Sequence, residues 1–375
     1  MNPFIIKGYV SKELFCDREK ETERLISNAL NQSDSVLISP RRYGKSGLIY
    51  HVLGQIKELY PDYDTLYVDI YGTQSLKELI NTVSSAILSR FPEKTSFGRK
   101  VLDFLKGIRP FFSVDPLTGK PEVHFEFFSE VEKEFTLKKI FELFDINPRP
   151  VVFAIDEFQQ IAEYPEKNVE ALLRTCTQNL HNVHFIYCGS NRRLMQEMFN
   201  DATRPFFSST STVPLYKLDR DKYAVFIRSL FESGGRRIED ASIDLILDWT
   251  RIHTYYTQKV CHDIFETGVK KVNTDLVQRV CDEILDAESY NYLQLRGILT
   301  TQQWRFLIGV AKEQRVSQIT SNAFVSKYKI GSAATSARVA DSLEQKELLL
   351  KTVTKADSFY EVYDVFFSRW LEREY

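Results

Sequence analysis

The chain has 375 residues, 43% of them hydrophobic and 27% charged, with a formal net charge of −2. This length accommodates two or three domains with real apolar cores, and the near-zero charge excludes a chain-wide electrostatic pull toward nucleic acid or anionic membrane. The five cysteines (Cys16, Cys176, Cys188, Cys261, Cys281) are scattered with no C-x-x-C pair, which speaks against a zinc ribbon or disulfide framework and for a reducing, cytoplasmic setting. His181, His184 and Cys188 crowd one short stretch, but 184–188 reads as a strand and no fourth ligand accompanies them. The opening MNPFIIKGYV lacks a long apolar core, and no segment approaches the ~20 apolar residues of a membrane span.

In chain order, Phe15-Cys16-Asp17-Arg18-Glu19 leads into a helical run whose Leu25, Ile26, Ala29 and Leu30 share one face, with Asp17 expected as N-cap. A segment just ahead of the first strand can lie beside the base of a bound nucleotide, so Phe15 and Arg18 are adenine-side candidates. A core staple at the helix start is an equal alternative for Phe15.

The apolar run Val36-Leu37-Ile38 is followed by Ser39-Pro40-Arg41-Arg42-Tyr43-Gly44-Lys45-Ser46-Gly47 and then by the helical pattern Leu48, Ile49, Val52, Leu53, Ile56. Strand, tight loop and helix are the context in which G-x-x-x-x-G-K-[ST] forms a phosphate loop. Gly44, Lys45 and Ser46 match it, and Ser39 stands where the first glycine is expected. Such a loop turns its backbone N–H groups toward phosphate oxygens at a helix N-terminus. Lys45 would neutralise the β- and γ-phosphates, and the Ser46 hydroxyl would complete a Mg²⁺ shell. Ser39 departs from the pattern because glycine takes positive φ without strain; Arg41 and Arg42 face either phosphates or a lid.

Beyond a Pro61-Asp62 break, 65–71 reads as a buried strand and 75–91 as a helix. The stretch 92–127 is less regular and carries Lys94, Arg99, Lys100, Lys106 and Arg109. Its end resembles two short strands around Asp115-Pro116-Leu117-Thr118-Gly119, and its charges read as a solvated face. Val151-Val152-Phe153-Ala154-Ile155 ends in Asp156-Glu157, the pattern of a buried parallel strand that delivers acids to its C-terminal edge. Asp156 would hold Mg²⁺ through a water, and Glu157 would act as the base on the attacking water. A helix over 168–180 precedes the strand 184–188, whose tip Gly189-Ser190-Asn191-Arg192-Arg193 offers Ser190 or Asn191 as a γ-phosphate sensor. Arg192, Arg193 or Arg204 could serve as an arginine finger, in cis or in trans. A last strand, 213–218, precedes a helix over 222–231 capped by Asp219.

From 234 to 289 three helices are expected, 243–250, 255–267 and 274–287, with no strand between them: a small lid. Helices over 299–313, 320–329 and 332–346 and strands over 348–353 and 359–362 then read as a winged helix-turn-helix. In its third helix the charges of Arg338, Asp341, Glu344 and Lys346 cancel. DNA readers need a basic surface, so a packing or regulatory wing is preferred over a DNA reader.

The ordered set F-x-x-R-E, SPRRYGKS, VVFAIDEFQ, a strand ending in G-S, HTYYTQ and a winged helix resembles the prokaryotic STAND-class P-loop ATPases, and within them the archaeal-type ATPase branch. The resemblance spans nearly the whole chain and is most specific in PRRYGKS and IDEFQ. It implies an AAA-like, additional-strand P-loop α/β domain (1–233), a helical lid (234–289) and a winged helix (290–375). It also implies binding of ATP with Mg²⁺, and a switch in which nucleotide state rearranges the C-terminal domains. The family often has proline where Thr254 follows His253, which weakens a lid-sensing role for His253. The chain leaves no room for the nuclease-like domain some relatives carry after the wing. The expected activity is slow ATP hydrolysis, with an unidentified protein partner, and oligomerisation if an arginine finger acts in trans. A DNA-associated ATPase of the initiator or loader kind is the alternative.

Overall fold

The computed structural model describes residues 2–107, 110–353 and 357–375; Arg109 of the basic stretch lies outside them. The chain forms two compact units, Lys7–Leu218 and Met1–Ile6 with Asp219–Tyr375.

The first unit opens with α1 (Glu19–Leu30), which buries Leu25, Ile26 and Ala29. Asp17 does not cap it: the N-cap position belongs to Arg18, with no side-chain cap, and Asp17 takes a left-handed φ of 43°. Next come β1 (Ser35–Ile38), α2 (Lys45–Leu59), β2 (Asp64–Asp69) and α3 (Leu76–Arg90). The Ser75 hydroxyl caps α3 by accepting from the Glu78 amide. The irregular stretch contains a helix that the sequence reading passed over, α4 (Ser96–Gly107). Phe97, Val101 and Leu105, four residues apart, are buried, while Arg99, Lys100 and Lys106 are exposed. The basic residues that obscured it are the solvent face of an amphipathic helix, while Gly98 is buried. A hairpin of β3 (Phe111–Val114) and β4 (Pro121–His124) follows. Then come α5 (Glu130–Glu142), β5 (Val151–Asp156), α6 (Val169–Thr177), β6 (Val183–Gly189), α7 (Arg192–Asn200) and β7 (Ser211–Pro214).

The five strands form one parallel sheet in the order β2-β5-β6-β1-β7. β6 therefore intervenes between the strand before the phosphate loop and the strand that carries the acids. All residues of β1, β5 and β6 are buried, as expected of a sheet covered on both faces. One face packs Phe153 and Phe185, with ring centroids 5.6 Å apart, against Phe141 and Phe144. The other holds Leu37, Val152, Ala154 and Ile186 against α2 and α1. Each fully buried side chain of this size contributes about 1.5–3 kcal/mol. Parallel strands all present their C-terminal ends at one edge, which brings Ile38, Asp156 and Gly189 side by side.

Asp34, at the entry to β1, accepts a 2.8 Å hydrogen bond from the Phe185 amide. Burial pushes its carboxyl up to about 6, although that bond and Arg174 oppose the shift. The folded chain thus keeps a proton that the unfolded chain releases near pH 4, so this contribution to stability is present at low pH and fades as pH rises from about 4 to about 6. Asp34→Asn should remove that slope. The variant's melting temperature should gain on wild type between pH 4 and 6, and parallel melting curves across that range would refute the assignment.

The second unit begins with α8 (Arg220–Ser233), capped by Asp219, whose side chain accepts from the Asp221 and Lys222 amides. The expected domain boundary lay at 233, and this compact unit starts at Asp219. Arg220 bridges to Asp244 and Asp248, so α8 packs with the helices that follow. Phe4, assigned to the ATPase domain, packs on Phe231 at 4.7 Å and on Phe265. After α8 come β8 (Arg237–Ile238), α9 (Asp240–Trp249), α10 (Thr254–Glu266), β9 (Lys271–Val272) and α11 (Thr274–Ile298). β8 and β9 pair in parallel, a two-residue ladder where no strand was expected; two residues are too short to show periodicity. α11 runs unbroken through 289–290, so the helical region and the wing share one helix.

The wing comprises α12 (Thr301–Glu313), α13 (Asn322–Lys327), α14 (Ala333–Gln345), β10 (Leu349–Val353), β11 (Ser358–Val362) and α15 (Val365–Glu374). Thr300 and Gln303 form a capping box on α12. β10 and β11 pair antiparallel. The terminal helix α15, not anticipated from sequence, sets Phe367 and Trp370 against Tyr292 and Trp304.

Candidate functional site

The site is built at the C-terminal edge of the sheet, where β1 feeds the phosphate loop. Gly44, at φ 88°, is the N-cap of α2, and Arg42 has φ 64°. Ser39 is not among the positive-φ residues, so a side chain at the first-glycine position costs no backbone strain. The strain falls on Arg42 instead. Ser39 is buried, with its hydroxyl donating to the Pro40 carbonyl at 3.1 Å. Pro40 and Tyr43 are buried too, and Arg41 and Arg42 are exposed. Lys45 is 6% exposed, and its Nζ donates to the Pro40 carbonyl at 3.1 Å and the Ser39 carbonyl at 3.4 Å. Phe15 lies over the start of α2, where a Cβ on Gly47 would meet its ring in ordinary contact at 3.6 Å.

The acids stand opposite. The Ser46 hydroxyl donates to Asp156 Oδ2 at 2.6 Å, and the Tyr67 phenol donates to the same oxygen at 3.0 Å. Asp156 Oδ1 accepts from the Glu157 amide at 3.0 Å. Burial and the neighbouring Asp156 push the Tyr67 phenol well above its ordinary value, so it stays a donor. Asp69, register partner of Asp156 on β2, is raised mainly by burial, with Asp156 and Glu157 adding to it. Cys188, buried beside Asp156, is pushed up for the same two reasons. Tyr67 was missed in the sequence because only strand pairing sets β2 beside β5.

Glu157 leaves β5 in a left-handed conformation, φ 56°. Its Oε2 accepts from the Ser190 hydroxyl at 2.6 Å, from Gln159 Nε2 at 2.5 Å and from the Ser190 amide at 3.3 Å. Gln159 was also missed, although it stands in IDEFQ two residues after Glu157. Its Oε1 is buried with no hydrogen-bond donor among the described residues, a cost of about 1–3 kcal/mol.

The remaining candidates are placed as follows. Phe15 stacks on His51, with centroids 4.5 Å apart, and meets Tyr9 edge-on. Arg18 is buried rather than presented to a base: it pairs with Glu21 at 3.0 Å and reaches the Tyr43 carbonyl at 3.5 Å, bracing the loop from behind. Burial lowers its proton affinity, and Glu21 opposes that. Arg204 is ion-paired to Glu170 on α6 at 3.1 Å. Arg192 opens α7, where Asn191 caps the helix by accepting from the Leu194 amide. Asn191 is thereby drawn into capping, which leaves Ser190 as the strand-tip hydroxyl beside Glu157. An open groove of about 520 Å³ along β2 includes Tyr67, Asp69, Arg90 and Lys120 but no phosphate-loop residue.

A Mg²⁺ ion suits this donor set. A hydroxyl and a carboxylate in direct contact at a helix start supply few protein ligands, and Mg²⁺ completes its shell with waters and phosphate. Among the described residues no cluster of three or more His, Cys, Asp or Glu side chains could hold a metal by itself, and none of their helices is long and apolar enough to cross a membrane.

Residues 290–373 match the family described as "Probable winged helix domain". No curated protein matches the chain. Among solved structures, a Walker-type ATPase of Pyrococcus abyssi is similar over 98% of this chain and 99% of its own, with TM-score 0.67 and 17% identity. The ORC2 protein of Aeropyrum pernix, in ADPNP–ADP complexes, is similar over 99% of this chain and 96% of its own, with TM-score 0.62 and 14% identity. The Aeropyrum pernix ORC1 protein in complex with DNA covers 96% of this chain and 93% of its own, with TM-score 0.52 and 12% identity. The strand order and these likenesses show the fold: an additional-strand P-loop α/β domain followed by a helical region and a winged helix domain.

Proposed function

We propose that this chain binds ATP with Mg²⁺ and hydrolyses it slowly, as a nucleotide-controlled switch whose winged helix is regulatory. The observation that carries the reading is the unbroken chain of hydrogen bonds Ser46–Asp156–Glu157–Ser190, which links the phosphate loop, the acids and the neighbouring strand tip across the sheet edge. Lys45 exchanges its two carbonyl partners for phosphate oxygens, a stronger match for a buried ammonium. Ser46 and Asp156 would hold Mg²⁺, which when bound neutralises charge on the transferring phosphoryl group. Glu157 takes the proton of the water whose oxygen bonds to the γ-phosphorus as the bond to the β-phosphate oxygen breaks. The finer assignment, to the archaeal-type branch of the STAND ATPases, is supported by PRRYGKS and IDEFQ. Equilibrium binding of Mg-ATP combined with phosphate release tests the reading; a folded chain that neither binds nor hydrolyses ATP would end it.

The second reading, a DNA-associated ATPase, is favoured by the winged-helix match. The exposed residues of α14 include Ala333, Ala334, Arg338 and Asp341, whose charges cancel. Each phosphate neutralised contributes a slope of about −0.9 in log K against log salt. We therefore expect weak duplex binding with a slope shallower than about −2. A slope near that of six contacts, with tight binding at low salt, would replace the regulatory wing by a DNA reader.

A further inference from the structure

Gln159 touches neither the phosphate loop nor the Ser46–Asp156 pair, yet its amide Nε2 donates to Glu157 Oε2 at 2.5 Å, on the oxygen that also accepts from the Ser190 hydroxyl and amide. Glu157 Oε1 accepts from none of the described residues. With one carboxylate oxygen saturated and the other open, the plane of the base is held: twisting the carboxylate out of that plane would break both side-chain hydrogen bonds, whereas a half-turn only exchanges two equivalent oxygens. The Gln159 amide has a single sensible orientation as well, since turning it over would set two acceptors against each other at the same distance. That orientation leaves Gln159 Oε1 buried without a donor, an unfavourable placement that the bond to Glu157 maintains. Gly189 makes room for it, because a Cβ there would collide with Gln159 Oε1 and the Met195 side chain.

We propose that Gln159 is a positioning residue for Glu157. It fixes the plane of the carboxylate so that the open oxygen faces the attacking water, and through the shared oxygen it ties that orientation to Ser190, at the strand tip expected to meet the terminal phosphate. The role rests on the hydrolase reading above.

The test uses the full chain with Gln159→Met, which keeps length and loses the donor, and Gln159→Glu, which keeps shape but replaces the donor with a carboxylate that repels Glu157. The readouts are kcat and KM for Mg-ATP, equilibrium Mg-ATP binding and melting temperature. kcat should fall roughly 10- to 100-fold, the scale of one hydrogen bond to a charged group. KM and binding should stay within about twofold, because an interaction expressed only in the transition state leaves ground-state affinity unchanged. In a Glu157→Gln background, adding Gln159→Met should lower residual turnover no further, since the residue acts through the base. If the methionine variant melts early, the glutamate variant carries the comparison. Unchanged or increased kcat in a folded Gln159 variant, or a full additional loss in the Glu157→Gln background, overturns the proposal. Wild-type chain that binds ATP but releases no phosphate defeats the hydrolase reading and the Gln159 role with it; wild-type turnover matched by both variants defeats the Gln159 role alone.

Discussion

Glu157→Gln should bind Mg-ATP as tightly as wild type and release phosphate about 10²- to 10⁴-fold more slowly, the contribution of a positioned general base. The substitution keeps the shape and an acceptor oxygen for the Ser190 hydroxyl, which stands at 2.6 Å, so the fold around β5 and β6 should persist. What it removes is the proton acceptor. Because Glu157 stands at the end of β5 and meets Ser190 rather than the loop, its loss should appear in kcat and not in affinity. Single-turnover phosphate release together with equilibrium binding separates the two. Wild-type turnover in a Glu157→Gln protein that still binds ATP would take the base role from this residue.

Lys45→Ala should weaken ATP binding by roughly 10- to 100-fold or more, the scale of hydrogen bonds to a charged group at a desolvated site. Its ammonium is buried and already engaged with the Ser39 and Pro40 carbonyls. The side chain is therefore pre-placed inside the loop, and little ordering entropy remains to be lost on binding. The same two bonds mean that truncation leaves two carbonyls short of a donor, so a small fall in melting temperature is expected beside the large fall in affinity. Calorimetric titration of Mg-ATP into the variant reads the first and a thermal melt the second. An unchanged dissociation constant would show that the loop does not hold phosphate through Lys45.

The phosphate loop was readable because its chemistry is contiguous: Gly44, Lys45 and Ser46 must follow one another for a strand to deliver a backbone cradle and a helix start in a single turn. The strand ending in Asp156-Glu157 was readable for a similar reason, five apolar residues followed by acids. Helices α4, α5, α7 and α15 went unread. In α4 the apolar residues are sparse, and the glycines and charges around them outweigh the four-residue spacing of Phe97, Val101 and Leu105. The β8–β9 ladder is too short for any periodicity. The ion pairs of Arg204 with Glu170 and of Arg18 with Glu21 were not legible, because a sequence does not show which charges come within reach.

Local order along the chain thus settled the parts whose function needs adjacent residues: the loop, the acidic strand end, and the succession of helices and strands that makes a wing. Contacts between distant residues were settled by the sheet. Its order β2-β5-β6-β1-β7 places Ser46 110 positions from Asp156 in sequence yet within a hydrogen bond of it, and Tyr67 89 positions away on the same oxygen. It also lays β6 beside β5, so that Ser190 meets Glu157. Parallel strands align their C-terminal ends whatever lies between them, and that alignment turns separate motifs into one site. The join between helical region and wing is tertiary too, because a continuous α11 is recognised only when both of its ends are packed.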